Sequence, residues 1–304
     1  MKQIKLGGQL PASQIALGCM RMSELDEQAA QRLIETAVEK GINFFDHADI
    51  YGGGASEEIF AAALAKSGLS RGDILLQSKC GICDGFYDFS KEHILRSVEG
   101  SLSRLRTDYL DVLLLHRPDP LMEPEEVAEA FDLLQASGKV RYFGVSNQTP
   151  GTMELLRKSV RQPLIVNQLQ FGVAHTGMID SGVNMNMKND RAVDRDGGIL
   201  EYCRLHDITI QPWSPFQHGF FGGVFLNSEK YQELNQYLDE LSELYGVAEE
   251  AVAVAWINRH PANMQTIVGT TRPERLSAIC EAGRITLTRE QWYGIYRAAG
   301  NELP

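Results

Sequence analysis

Eight times along the chain, a short β-branched or leucine-rich run is followed by a longer stretch whose apolar positions recur at helical spacing, and this alternation dictates βαβ units on a parallel sheet. The strands expected from it are Ile15 to Gly18, Asn43 to Asp46, Ile74 to Lys79, Leu110 to His116, Val140 to Val145, Leu164 to Gln168, Ile208 to Trp213 and Thr266 to Val268. Helix boundaries are marked by chemistry as well as by period. A helix begins at about Asp26 and Gly41 ends it, Ser90 stands where a side chain can accept from a first-turn amide, Thr149 with Pro150 reads as a cap and a first helical residue, and Pro124 and Pro273 suit first turns. After the sixth strand the helix is delayed until about Ile199, and after the seventh a polar helix from about Ser228 precedes an apolar one from Ala248 to Arg259. Eight βα units are the count of a closed (β/α)8 barrel, the α/β fold in which function sits at the strands' C-terminal ends. The expectation is one TIM-barrel domain over residues 1–304, with a hairpin from Met1 to Leu10, centred on Gly7 and Gly8, plugging its bottom and an extra helix at 289–300. A doubly wound dinucleotide fold lacks support, because no G-x-G-x-x-G follows an early strand.

Charge and composition narrow the partners. A formal net charge of −11, with no basic run to offset it, argues against nucleic acid and anionic membranes. No apolar run approaches the roughly 18 residues a membrane helix needs. Lys2 and Lys5 are followed by the polar stretch from Gly7 to Gln14, not by the apolar segment of an export signal. With five cysteines, an odd number, this points to reduced thiols and a cytoplasmic protein. A small-molecule substrate is the expected partner, for a monomer or weak homo-oligomer.

If the strand ends face the active site, the polar residues there are Asp46, Lys79, His116, Ser146, Asn147, Gln168 and Ser214. Singly, an Asp–Lys pair or a buried histidine is ordinary structure; on three consecutive strands they converge on one point. Tyr51 lies five residues beyond Asp46, before Gly52, Gly53 and Gly54, so its phenol can turn back over the barrel mouth. A free phenol has a pKa of about 10, and a nearby ammonium such as Lys79 lowers it. A proton donor beside a neutral histidine is the equipment of carbonyl reduction.

The runs that carry these residues are Asn43-Phe-Phe-Asp-His-Ala-Asp-Ile-Tyr-Gly52, Ser78-Lys-Cys-Gly81, Leu115-His-Arg-Pro-Asp119, Gly138-Lys-Val-Arg-Tyr-Phe-Gly-Val-Ser-Asn147, Asn167-Gln168, Trp213-Ser-Pro215 and Val268-Gly-Thr-Thr-Arg-Pro-Glu-Arg275. In that order they resemble the aldo-keto reductase superfamily, in its bacterial oxidoreductase branch. The resemblance implies a catalytic tetrad of Asp46, Tyr51, Lys79 and His116 and an NADP(H)-dependent reduction of aldehydes or ketones, with NAD(H) possible. It also implies that Ser146, Asn147 and Gln168 hold the nicotinamide amide, that Trp213 stacks on its ring where the family more often has tyrosine, and that Ser214, Pro215 and Gly219 cover the pyrophosphate. Gly269, Thr270, Thr271, Arg272 and Arg275 would receive the 2′-phosphate at a helix start, where amides and guanidinium groups favour anions. Ala278 and Ile279 depart from the Glu and Asn common near the adenine. Met20 counts among the cofactor-binding residues and, with Met22, Phe86, Tyr87, Trp213 and Phe216, among the candidate pocket walls.

Other signals point elsewhere. Cys80-Gly-Ile-Cys83 has redox or half-zinc spacing, without the second half a metal site requires. Asp46-His47-x-Asp49 suits a metal-dependent hydrolase, against which Lys79 argues as a cation in the cluster. The polar segment from Phe171 to Gly198 suits a lid, a substrate wall or a plain surface loop. The rival functional class is a cofactor-binding regulatory or redox-sensing module with little turnover.

Overall fold

A computed structural model describes residues 1–219 and 222–304. The strands are β1 (Gln3–Leu6), β2 (Leu10–Ser13), β3 (Ile15–Gly18), β4 (Phe44–Asp46), β5 (Leu75–Cys80), β6 (Leu110–Leu115), β7 (Val140–Ser146), β8 (Leu164–Gln170), β9 (Thr209–Trp213) and β10 (Thr266–Val268). The helices are α1 (Glu27–Glu39), α2 (Ala55–Lys66), α3 (Lys91–Leu105), α4 (Pro124–Ala136), α5 (Pro150–Arg157), α6 (Gly177–Val183), α7 (Ile199–Leu205), α8 (Gln232–Tyr245), α9 (Glu249–Arg259), α10 (Pro273–Cys280) and α11 (Arg289–Ala298).

Strands β3 to β10 form one parallel sheet in the order β10-β3-β4-β5-β6-β7-β8-β9, and a parallel bridge from Ile210 to Met264 brings its two edges together. The (β/α)8 barrel expected from the alternation is therefore the observed fold. All six residues of β6 are buried, as a strand covered on both faces requires. Val112 and Leu114 turn into the barrel with Phe44, Ile165 and Ile267, while Leu113 and Leu115 turn out against the helices.

The capping chemistry forms as expected at Ser90 and Thr149, each accepting from the amide three residues on, and Asp26 caps α1 in the same way, a contact that stabilises a helix by about 1 kcal/mol. The hairpin is longer than expected, running to Ser13 and pairing Gln3 with Ser13 and Leu6 with Leu10. Its buried Leu6, Leu10 and Ala12 join the interior apolar cluster at the barrel bottom. Gly7 (φ +54°) turns directly against Ile165, where an added Cβ would lie 2.4 Å from that side chain.

Most strand ends differ from the sequence reading by one or two residues, and two connections hold elements it did not include. The 171–198 segment contains α6 before the delayed α7, and a 3-10 turn at Glu229–Tyr231 precedes α8. That segment is also pinned to the C-terminus: Tyr296 donates to Asp180 at 2.8 Å, and Arg191 donates to Asn301 and to the Gly300 carbonyl. Helix α11 packs outside on α8 and α9, with Trp292 stacked on Trp256 at 4.8 Å. Among the described residues no helix is long and apolar enough to cross a membrane.

Candidate active site

At the mouth, the ends of β4, β5 and β6 and the loop after β4 bring the expected cluster together. The backbone ladder runs past the strands, with Asp49 donating to the Lys79 carbonyl and His116 donating to the Cys80 carbonyl, so loop residues inherit the barrel's register. Gly52 (φ +59°) then turns the chain in a space closed by Ser23, where a Cβ would meet the Ser23 hydroxyl at 2.5 Å. Tyr51 is thereby aimed back over the strands. The fully buried Lys79 ammonium donates to Asp46 Oδ2 at 2.9 Å, to the His47 carbonyl at 2.7 Å and to the Tyr51 phenol at 3.0 Å. The His116 ring meets the Tyr51 ring edge-on, with centroids 5.9 Å apart.

Electrostatics assigns protonation states. Burial alone would favour a neutral Lys79, but Asp46 and then Tyr51 outweigh it and hold the ammonium above its ordinary value. Burial, aided by the charges of Lys79 and Arg117, keeps His116 well below the usual histidine value, so its ring is neutral. For Tyr51 the expected direction is reversed. Burial raises the phenol above its ordinary value, and the opposing pull of Lys79 does not overcome it.

The other expected residues fall into two groups. Beside the cluster, the Ser146 hydroxyl donates to the Gln168 carbonyl, Asn147 Nδ2 donates to Ser146 Oγ at 2.7 Å, and Trp213 Nε1 donates to Asn147 Oδ1 at 3.3 Å. The Trp213 ring is half-buried, with the Arg117 guanidinium 5.9 Å from its centroid. Asn147 and Ser214 both take a left-handed backbone, φ +57° and +49°, that bends the loops away from the strand ends. The Pro215 carbonyl lies against Gly172, and Gly219 is half-buried with φ +134°.

The second group gathers at the start of α10. No side chain caps that helix; Thr270 is buried and accepts from the Arg272 amide, Thr271 is half-buried, and Gly269 and Arg272 are exposed. Arg275 is less free than expected, since its Nε donates to Glu250 at 3.0 Å and its guanidinium lies 5.3 Å from the Phe216 ring centroid. Met20 is exposed beyond β3, and its carbonyl accepts from Ser56.

Several residues escaped the sequence reading. Arg21 donates to the Gly269 carbonyl and so brings another guanidinium to the α10 end of the mouth. Beneath the cluster, Gln77, Gln211 and Gln265 are fully buried in one hydrogen-bonded chain, in which Gln77 donates to Asp46, Gln211 accepts from Gln77 and Gln168, and Gln265 accepts from Gln211. Their signal was present, since glutamine inside an otherwise apolar strand needs partners, but sequence alone does not say which strands face one another. A cavity of about 610 Å³ opens between the loops leaving β5 and β6, walled by Ile82, Cys83, Phe86, Tyr87, Pro120 and Leu121.

The competing motifs do not assemble. His47 turns away from Asp46 onto Phe60, at 4.5 Å, and among the described residues no three His, Cys, Asp or Glu side chains could hold a metal. Burial, then Asp49 and Asp88, holds the Cys80 thiol well above its ordinary value. Burial and the same carboxylates raise Cys83 too, so neither cysteine is an activated thiolate.

The comparisons agree with this arrangement. The Aldo/keto reductase family model matches residues 14–299. The uncharacterized oxidoreductase YcsN of Bacillus subtilis is 38% identical and a 6-dehydroglucose reductase of Agrobacterium fabrum 35% identical, each over the whole of both chains. An aldo-keto reductase from Klebsiella pneumoniae, solved with NADPH, superposes with a TM-score of 0.78 at 26% identity, covering 99% of this chain and 96% of its own. With the barrel, the strand-end cluster and a family match over nearly its entire length, this chain belongs to the aldo/keto reductase family of oxidoreductases.

Proposed function

We propose that this protein reduces aldehydes or ketones to alcohols with NADP(H), in preference to NAD(H), and that Tyr51 gives the proton to the carbonyl oxygen. The observation that carries the reading is the position of the Lys79 ammonium, 2.9 Å from Asp46 and 3.0 Å from the Tyr51 phenol in a buried cluster beside neutral His116.

The residues present fit such a cofactor. Trp213 offers a half-buried ring face beside the Ser146, Asn147 and Gln168 set, and the uncapped start of α10 with exposed Arg272 suits a phosphate. Structural relatives support the same reading, one having been solved with NADPH. When bound, a reduced nicotinamide supplies the hydride that adds to the carbonyl carbon.

The rest is chemistry of the chain itself. Burial keeps the Tyr51 phenol protonated at neutral pH and ready to donate. As the carbonyl oxygen gains negative charge, the phenol O–H bond breaks and its proton passes to that oxygen. The phenolate left behind faces the Lys79 ammonium at 3.0 Å, which stabilises it when the charge forms. Asp46 keeps that ammonium charged, and neutral His116 hydrogen-bonds and orients the oxygen. Lys79 thus acts mainly on the product state of the proton transfer.

The test is NADPH oxidation over a panel of reactive carbonyls that includes 6-dehydroglucose, for which a relative 35% identical is named. In Tyr51→Phe turnover should fall about 10²- to 10⁴-fold, the usual contribution of general acid catalysis, while NADPH binding measured by fluorescence persists. Undiminished turnover in that variant overturns the role of Tyr51. Tight NADPH binding with no carbonyl turned over by the wild type overturns the reductase reading in favour of a regulatory module.

A further inference from the structure

Between the apolar plug and the mouth, the barrel interior holds a layer of buried amides. Asp46 and Gln77 are register partners on β4 and β5, and Gln168 and Gln211 are register partners on β8 and β9. The two pairs touch across the barrel. Gln77 Nε2 donates to Asp46 Oδ1 at 2.6 Å and to Gln211 Oε1 at 2.8 Å. Gln168 Nε2 donates to the same two oxygens, each at 3.1 Å. Gln211 Nε2 donates to Gln77 Oε1 at 3.2 Å and to Gln265 Oε1 at 2.7 Å, and Gln265 Nε2 donates to the Ser13 carbonyl of the hairpin at 2.7 Å.

The chain of amides ends at both sides on groups that can only accept, the Asp46 carboxylate and the Ser13 carbonyl. That fixes the orientation of every amide between them: each must turn its NH₂ toward the acceptor it meets, and the bonds above satisfy this without conflict. Such a layer is costly to bury unless complete. Apolar residues of the right size would fill the space, as Val112 and Leu114 do on β6.

Resting on the reductase reading above, we propose that Gln77 and Gln211 are positioning residues that act through different partners. Gln77 fixes the carboxylate of Asp46, and so the Lys79 and Tyr51 pair above it. Gln211 does not touch Asp46 but receives from Gln168, and so fixes the amide side of the cofactor site.

The experiment uses the full chain in three variants. Gln77→Met keeps the approximate volume and deletes the donor to Asp46; kcat should fall about ten-fold, the worth of a hydrogen bond to a charged group, with a smaller change in KM. Gln211→Met should instead weaken NADPH binding about five-fold by fluorescence titration, with the smaller effect on kcat, as loss of a neutral amide contact implies. Gln77→Glu is isosteric, and its carboxyl can donate to Asp46 only while protonated. The titratable group in contact with Gln77 is Asp46 on β4, with Lys79, Tyr51 and Cys19 beyond it; Asp111 on β6 is taken up by the Leu76 amide, Arg71 and Arg141, and the inward residues of β6, β8 and β9, with Gln265, are apolar or amides. Burial and the Asp46 carboxylate in direct contact raise the new carboxyl and outweigh the more distant Lys79 ammonium, so kcat of Gln77→Glu should be retained at acid pH and fall as pH rises.

A role in packing alone predicts a wild-type pH profile for Gln77→Glu and no split between kcat and cofactor affinity, and that result overturns the proposal. If Tyr51→Phe is inactive while Gln77→Glu and both methionine variants behave as wild type, this inference fails and the reductase reading stands. If the wild type turns over no carbonyl, that reading falls, and the NADPH affinity of Gln211→Met alone decides: unchanged affinity overturns the proposal. Circular dichroism verifies folding, and Gln77→Glu decides should Gln77→Met fail to fold.

Discussion

The Lys79 ammonium stands 3.0 Å from the Tyr51 phenol and 2.9 Å from the Asp46 carboxylate, with no surface exposed to water. A charge held this way depends on its partner, because removing one member of a buried pair leaves the other uncompensated at a cost of about 3–5 kcal/mol. Lys79→Met should therefore lower the unfolding free energy by about that amount as well as abolish carbonyl turnover. Adding Asp46→Asn should recover most of the lost stability by removing the orphaned charge, yet restore no turnover. Denaturant unfolding of both variants checks this, and a double variant as unstable as Lys79→Met would refute the pairing energetics.

Acid should destabilise the fold through buried histidines. Burial, then the charge of Lys79, lowers His47 to about 3, and burial, then Arg204, lowers His260 to about 4. In the unfolded chain such residues take a proton near 6.5, while in the folded protein they do not until far lower. Stability is therefore intact above about 6.5 and is lost progressively as pH falls toward the folded values. Both ring nitrogens of His47 are buried without partners among the described residues. His47→Leu should raise the melting temperature relative to wild type more at pH 5 than at pH 8; an equal shift at both would show that protonation of His47 is not involved.

How far the sequence reaches is visible in particular residues. The convergence of Asp46, Lys79 and His116 was legible because period and strand order together determine which end of a barrel a residue occupies. The direction of the Tyr51 shift was not, because it depends on weighing burial against one ammonium, and burial is a property of the assembled mouth. Gln77 and Gln211 were passed over for a related reason: each is an isolated polar residue until β5 and β9 are known to face one another across the barrel. Arg275 looked like a free cation, and only the packing of α10 on α9 brings Glu250 to it.

That pairing shifts the expected phosphate contact toward Arg272. It is exposed at the uncapped start of α10, whereas Arg275 already has a carboxylate partner. Arg272→Ala should weaken NADPH binding about ten-fold, in line with the loss of a charge-assisted hydrogen bond, and leave NADH binding nearly unchanged. Arg275→Ala should have the smaller effect on the NADPH to NADH ratio. Parallel titrations with the two cofactors decide between the arginines, and equal losses for NADPH and NADH in Arg272→Ala would remove it from phosphate recognition.

Asp49 offers a stability test of opposite sign to that of the histidines. It lies between Asp46 and Tyr51, its Oδ1 is buried without a partner among the described residues, and burial followed by repulsion from Glu57 raises its carboxyl to about 6. The nearby Glu57 is fully buried and already held by Arg104 at 2.8 Å and by the Ser78 hydroxyl at 2.7 Å, so Arg104 only partly offsets the Asp49 charge. Because the folded value lies above the unfolded one of 3.8, ionising Asp49 costs stability; the cost is absent below about 3.8 and complete above about 6. Asp49→Asn removes that ionisation and can still accept at its remaining oxygen. It should raise the melting temperature at pH 8 and change it little at pH 4, where the wild-type carboxyl is largely protonated in the folded state. A gain independent of pH would assign the effect to packing, and a loss at pH 8 would mean that the Asp49 charge supports the loop that carries Tyr51.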